Sequence, residues 1–363
     1  MTQTNRWIAA AVMALAAAGC KKPADDGSPT PPAGAGAGLE DTSNDKAVVA
    51  LAKDAIKCGW QDGSGVKTPC PALDAWNKSE IIKGGKVDAT LLNFLGDAQK
   101  EARWIGAYGL YNAAQAYRTD AAMAKRLLAA GRAEKDATVA RKLGDAIGKI
   151  NVSKTGTTDE LKKLLAESSQ STLRQGIVDG VLFNNRSEGG FYDLLATMAR
   201  TEKDKAVRKT AASAFWVGGS ERHDDTCKLW LELSDDPDDD LSGNSAYHTS
   251  WWSSGGGCTG QWDALLGVIE KRAKAGKVKS SFMTSALGWL QKQGKATDAQ
   301  KKRAMAVAKT IVETASNDRM ARGDALRVIG ENDPDAKKFA SRFESDPEFF
   351  VKSAAQRIKE GKK

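Results

Sequence analysis

Histidine is nearly absent: His223 and His248 are the only two, which leaves few side chains able to trade protons near neutral pH. The chain has no P-loop, no dinucleotide-binding glycine fingerprint, no HExxH and no GxSxG, so the common nucleotide, zinc-protease and serine-hydrolase sites are excluded. The GAGAG run at 34–38 follows no strand and reads as linker, not as a phosphate cradle. Aromatic residues make up 7% of the chain, and past residue 20 no apolar run approaches the ~20 residues needed to cross a bilayer. A formal charge of +8 is spread with interleaved signs, which suits solvated helix faces better than a nucleic-acid patch. No cofactor, no metal and no catalytic residue is expected, and the chain reads as something other than an enzyme.

The acidic run Asp235-Asp236-Pro237-Asp238-Asp239-Asp240 is the one feature that suggests calcium. It lacks the glycine at loop position six and the distal glutamate of an EF-hand, so it reads as an acidic surface turn.

What is present begins with a short apolar run, Trp7 to Ala18, behind the single charge of Arg6. Twelve apolar residues are too few to span a hydrocarbon core about 30 Å thick, and the run reads as the h-region of a signal peptide covering 1–19. It ends in Ala17-Ala18-Gly19-Cys20, which resembles the lipobox of bacterial lipoproteins, although Ala17 stands where leucine is usual. The resemblance implies that Cys20 becomes the palmitate-bearing N-terminus. The other reading is an ordinary signal peptide cut near Ala18, with Cys20 left as a thiol. Residues 20–45 are rich in Pro, Gly and Ala and read as a flexible linker. Lys21 after the cysteine implies, by the same resemblance, an exported protein lipid-anchored at the outer membrane.

Beyond Cys20 there are four cysteines, Cys58, Cys70, Cys227 and Cys258. An even count in an oxidising compartment argues for disulfides, with sequence-local pairing Cys58–Cys70 and Cys227–Cys258. His223 and His248 lie near the second pair, which keeps a Cys2His2 zinc site open as an alternative, at a spacing no familiar zinc module uses.

From Ala47 onward the apolar spacing is helical, and the chain is expected to be all-α. A phrase recurs in which a basic residue is followed by small residues one turn on and a bulky apolar residue two turns on. Its copies are ARWIGAYGLYN from Ala102, ARKLGDAIGKI from Ala140, LRQGIVDGVLF from Leu173, VRKTAASAFWVGG from Val207, ARGDALRVIGEN from Ala321 and VKSAAQRIKEG from Val351. The basic residues are Arg103, Arg141, Arg174, Arg208, Arg322 and Lys352, and weaker copies start at Ser245 and Phe282. Asp333-Pro334 and Asp346-Pro347 read as helix N-caps with proline at the first helical position. These phrases resemble HEAT-like repeats and imply an α-α superhelix, a HEAT-like solenoid, over 97–363. Residues 46–96, with a helix near Ala89 to Leu95, read as an N-terminal helical cap.

Residues 216–289 hold Trp216, Trp230, Trp251, Trp252, Trp262 and Trp289 and span the two units without the basic residue. Trp216, Trp230 and Trp289 read as core. Tyr247, His248, Trp251, Trp252 and Trp262 are the candidate partner-binding residues, since aromatic anchors serve both protein interfaces and sugar sites. The expected function is a lipid-anchored envelope scaffold or adaptor that binds a protein partner through a helical-repeat surface. The alternative is a glycan- or peptidoglycan-binding module using the Trp-rich segment 247–262.

Overall fold

The computed structural model describes residues 46–83, 87–112, 116–184, 191–216, 222–251 and 258–361. The expected signal peptide, Cys20, the linker and Trp252 lie outside them. Among the described residues no helix is long and apolar enough to cross a membrane.

The chain opens with α1 (Lys46–Ile56), an antiparallel hairpin of β1 (Trp60–Gln61) and β2 (Gly65–Val66), then α2 (Pro71–Lys78) and α3 (Glu80–Lys83). At two residues each, the strands are too short to leave an alternating pattern in the sequence. The Cys58–Cys70 disulfide closes this loop. Gly65 adopts φ +95°, and the Trp104 ring lies so close that a β-carbon there would fall inside it. At the hairpin tip Gly63 N donates to Thr138 Oγ1 at 2.8 Å, so the cap is tied to the second helix pair of the array.

Helix pairs follow: α4 (Asp88–Phe94) with α5 (Lys100–Asn112), and α6 (Ala121–Ala133) with α7 (Ala137–Gly148). After the short α8 (Val152–Thr155) come α9 (Thr158–Glu167) with α10 (Ser171–Asn184), and α11 (Phe191–Thr201) with α12 (Lys205–Trp216). The remaining pairs are α13 (His223–Leu233) with α14 (Asp239–Ser250) and α15 (Trp262–Lys274) with α16 (Ser281–Lys292), then α17 (Asp298–Glu313) with α18 (Arg319–Asn332) and α19 (Ala336–Ala340) with α20 (Phe349–Lys359). Every copy of the recurring phrase falls on the second helix of a pair. Successive second helices contact one another from α5 to α20, giving an all-α superhelical fold. Because α4 packs on α5, the paired helices begin at residue 88, ahead of the expected boundary at 97.

The basic residue of the phrase has a structural task. Arg103 donates through Nε and Nη2 to Glu134 at 2.8 and 3.1 Å, and Arg174 donates to both oxygens of Glu202 at 2.6 and 3.1 Å. Arg208 reaches Asp236 at 2.7 Å, and Arg322 reaches Asp346 at 2.6 Å. In each case the carboxylate sits in the turn between the two helices of the following unit. The same carboxylate accepts the amide of the residue two positions on: Asp136, Asp204, Asp238 and Glu348. Asp136, Asp204 and Asp238 in turn accept amides from the first turn of their helices. The Glu134 carboxylate holds Arg103 above the ordinary guanidinium value. Burial works to raise the Glu202 carboxyl, but Arg174 and the Asp204 amide outweigh it and hold it low.

Two expectations are corrected here. Asp333 and Asp346 are not N-caps: each accepts the amide two residues on, from Asp335 and Glu348, and the helices start later than the prolines. Arg141 is one residue out of register. The amides of Arg103, Arg174, Arg208 and Arg322 bond the carbonyl of the last residue before the helix, and in α7 the residue that does so is Ala140. Displaced by about 100° around the helix, Arg141 pairs with Asp145 and Asp179 instead. Partnership follows the register: where it holds Ala140, Ser242 or Thr284, the facing position in the next turn is Ser168, Val278 or Ser316.

The tightest contact is between α7 and α10. A β-carbon on Gly176 would fall onto the Arg141 carbonyl oxygen and 2.8 Å from the Asp145 nitrogen, and one on Gly148 would fall onto the Ile177 carbonyl oxygen and 2.6 Å from Gly180 Cα. Gly144 and Gly180 meet the opposing backbone in the same way. The buried apolar side chains form two clusters, Val48 to Leu241 with Cys258, and Ala246 to Ala355, which divide within α14.

Candidate functional site

The division falls at the aromatic-rich pair. Tyr247 sits in the last turn of α14 and Trp251, the residue that caps that helix, follows four on with its amide bonded to the Tyr247 carbonyl, while Phe282 and Trp289 are seven apart on α16, so each pair falls on one side of its helix. The two helices lie side by side and bring the four rings together. Tyr247 lies 5.6 Å from Trp251, 5.8 Å from Phe282 and 6.4 Å from Trp289, while Trp251 lies 5.2 Å from Trp289. Phe282 is 40% exposed and the other three are half-buried. Lys292 Nζ stands 5.9 Å from the Trp289 ring, and Gln293 donates to the Ser250 carbonyl, fastening the ends of the two helices together. Burial pushes the Tyr247 phenol above its usual value.

The expected set is therefore split. Trp262 is 1% exposed, and its indole Nε1 donates to the Thr249 carbonyl at 3.1 Å, so it is core and not contact surface. His248 stands between the strip and the core, its ring centroid 5.4 Å from both Tyr247 and Trp230, and burial pulls its imidazole down to about 4. Trp230 is buried, as expected, while Trp289 belongs to the half-buried strip and not to the core; the Trp216 side chain lies outside the described residues. Phe282 and Trp289 were not among the candidates. Their seven-residue spacing on a helix carrying none of the repeat's arginines was the signal available.

The Cys227–Cys258 disulfide brackets α14, with Cα atoms 5.4 Å apart. Both thiols of the zinc alternative are thus joined to each other, with His223 beside Cys227 Sγ at 3.9 Å. Among the described residues no cluster of three or more metal-ligating side chains is present. The acidic run is taken up by cations: Asp235 by Lys271, Asp236 by Arg208, Asp239 by Arg272, and Asp238 and Asp240 by Lys209. It belongs to the ladder of ion pairs.

A second polar cluster lies over the α7–α10 contact. Arg141 pairs with Asp179, Lys142 with Asp145 at 2.8 Å, and the Tyr111 ring lies 3.6 Å from Lys149 Nζ. Burial pushes Asp179 up to about 6 and, with Arg118 nearby, pulls Lys149 down to about 8. A shallow depression of about 340 Å³, lined in part by Glu134, Ser168 and Gln170, lies beside the turn where Ser168 replaces the ladder carboxylate.

No family model and no curated protein matches the chain. A solved engineered protein from the Northeast Structural Genomics Consortium is similar at 16% identity and a TM-score of 0.33, over 88% of this chain and 96% of that one. At that score the likeness carries no argument about fold or function.

Proposed function

We propose that the chain is a lipid-anchored scaffold or adaptor of the bacterial envelope, held at the outer membrane by acylated Cys20, that binds another envelope protein through its row of second helices. The observation that carries the reading is the half-exposed strip of Tyr247, Trp251, Phe282 and Trp289 on two adjacent units that lack the ladder arginine. Large, rigid aromatic side chains that keep solvent contact in the free protein gain most when a partner desolvates them.

The glycan alternative needs flat ring faces open to a sugar. Trp251 is tilted only 34° from Trp289, and Tyr247 meets Trp289 nearly edge-on at 77°, so the rings spend much of their area on one another. This favours a protein partner. No reaction is assigned to the chain.

The test is in-cell cross-linking with mass spectrometry, comparing wild type with Trp251→Ala and Trp289→Ala and running polysaccharide binding in parallel. The reading predicts loss of one cross-linked envelope protein in both variants. Loss of polysaccharide binding alone would move the assignment to the glycan module. The anchor is tested separately: Cys20→Ala should abolish palmitate labelling and release the protein from the membrane fraction.

A further inference from the structure

The large exposed apolar residues among those described are Phe282 (40%), Met320 (41%), Phe349 (72%) and Phe350 (40%). Phe282, Met320 and Phe350 are each the second residue of a second helix, in α16, α18 and α20. The start of α16 lies against Gly243 in the first turns of α14, and the start of α20 lies against Gly323 at the equivalent place in α18. Neighbouring second helices are separated by roughly 8–10 Å, so the three residues line one edge of the array at one side chain per unit, with Phe349 beyond them, its ring 5.7 Å from Phe350. The same position in the earlier units holds Glu101, Thr138, Thr172, Ala206 and Asp240. The row is confined to the last three units.

Its surroundings are basic. Lys277, Lys279, Arg319 and Lys352 are exposed along this edge. The Arg319 guanidinium lies 5.7 Å from the Phe350 ring, and Lys279 reaches across to the Ser316 carbonyl at 2.7 Å. The carboxylates nearby are engaged: Asp318 accepts the Met320 amide and Asp346 holds Arg322. Glu348 is the half-buried exception. Apolar tips rimmed by long cationic side chains match a lipid surface, where aromatics enter the acyl boundary and Lys and Arg stay at the phosphates.

We infer that this edge inserts shallowly into a phospholipid bilayer, so that the array is attached by lipid at its N-terminal end and by Met320, Phe349 and Phe350 at its C-terminal end. The inference rests on the anchored reading of Cys20. From Lys21 to Asp45 the chain provides 25 residues, which can span no more than about 90 Å. So short a tether keeps the folded body beside the membrane and adds to the attachment that the row makes on its own.

The experiment uses the full chain carrying Cys20→Ala, which removes the lipid, mixed with vesicles of phosphatidylethanolamine and phosphatidylglycerol and read by co-sedimentation. The protein is expected to sediment with the vesicles. Adding Phe349→Ser and Met320→Ser is expected to weaken binding about tenfold or more, from the apolar area withdrawn, whereas Phe349→Leu with Met320→Leu retains it. Both sites are exposed, and circular dichroism of each variant is the check that the fold is kept. Failure of the unlipidated chain to sediment overturns the inference, as does sedimentation that ignores the serine substitutions. A dimer seen by light scattering that the serines abolish, without vesicle binding, also overturns it and assigns the row to a second copy. Palmitate labelling of the wild type reports on the anchor independently of all these outcomes.

Discussion

Gly176→Ala sets two effects of opposite sign against each other. In an unobstructed helix, replacing glycine by alanine stabilises by about 1 kcal/mol. At Gly176 the new β-carbon would land on the Arg141 carbonyl oxygen, with the Asp145 nitrogen at 2.8 Å and Gly144 Cα at 2.9 Å. These are backbone atoms in the middle of a helix and cannot turn aside as a side chain can. The helices must part by roughly an ångström, and a gap of that size forfeits a quarter to a half of each dispersion contact along the seam. Overpacking of this kind costs about 1–3 kcal/mol, and more where nothing relaxes, so a net loss of about 2 kcal/mol is expected. At roughly 2–4 °C per kcal/mol, the melting temperature falls by several degrees. Gly267→Ala in α15 is the control: its nearest neighbour is the flexible end of Arg303 at 3.5 Å, so the gain of about 0.5–1 kcal/mol should survive. Urea and thermal denaturation followed by circular dichroism measure both. A neutral or stabilising Gly176→Ala would refute the backbone contact.

Other outcomes follow from the same geometry. Arg322→Met leaves Asp346, whose side chain is 8% exposed, without its cation, and should lower stability by about 3 kcal/mol or more; a urea-midpoint change worth under about 1 kcal/mol would show that the pair is not desolvated. As pH falls below 6.5, the unfolded chain protonates the residue-248 imidazole while the folded chain refuses the proton until about 4, so stability drops across that window. His248→Gln should flatten the drop in urea midpoints between pH 7 and pH 5, and an unchanged slope places the titration elsewhere. Replacing Cys227 and Cys258 by serine opens a loop of sequence separation 31 and should cost up to about 3–4 kcal/mol. Reductant applied to a chain already carrying Cys58→Ser and Cys70→Ser, in which Cys227–Cys258 is the remaining disulfide, must reproduce that loss, or the bond is not what closes the loop.

Fold and site were legible to different depths. The eight second helices could be read because the small residues that let them approach, such as Gly106 and Ala211, recur at a fixed offset from bulky core residues. Carboxylates such as Glu134 and Glu202 could not be matched to their arginines, because the pairing runs 31 and 28 residues forward into turns where an acidic residue also reads as a helix cap. That ambiguity misplaced Asp333 and Asp346. Arg141 was grouped with the others because a one-residue slip is invisible to a degenerate motif, though it turns the side chain by more than a quarter circle. At the aromatic strip, Tyr247 and Trp251 were visible as a local cluster. Trp262 misled because a tryptophan's need for a hydrogen-bond partner, here the Thr249 carbonyl, leaves no trace in composition.

A chain of look-alike units runs the risk that one of them docks against the wrong neighbour during folding. Here a misassembled stack would set Arg174 against Val278, or Arg208 against Ser168, and strand a guanidinium in an apolar seam. Only stacks that give each such arginine a carboxylate turn avoid that cost, so these charges narrow the set of neighbours a segment can accept.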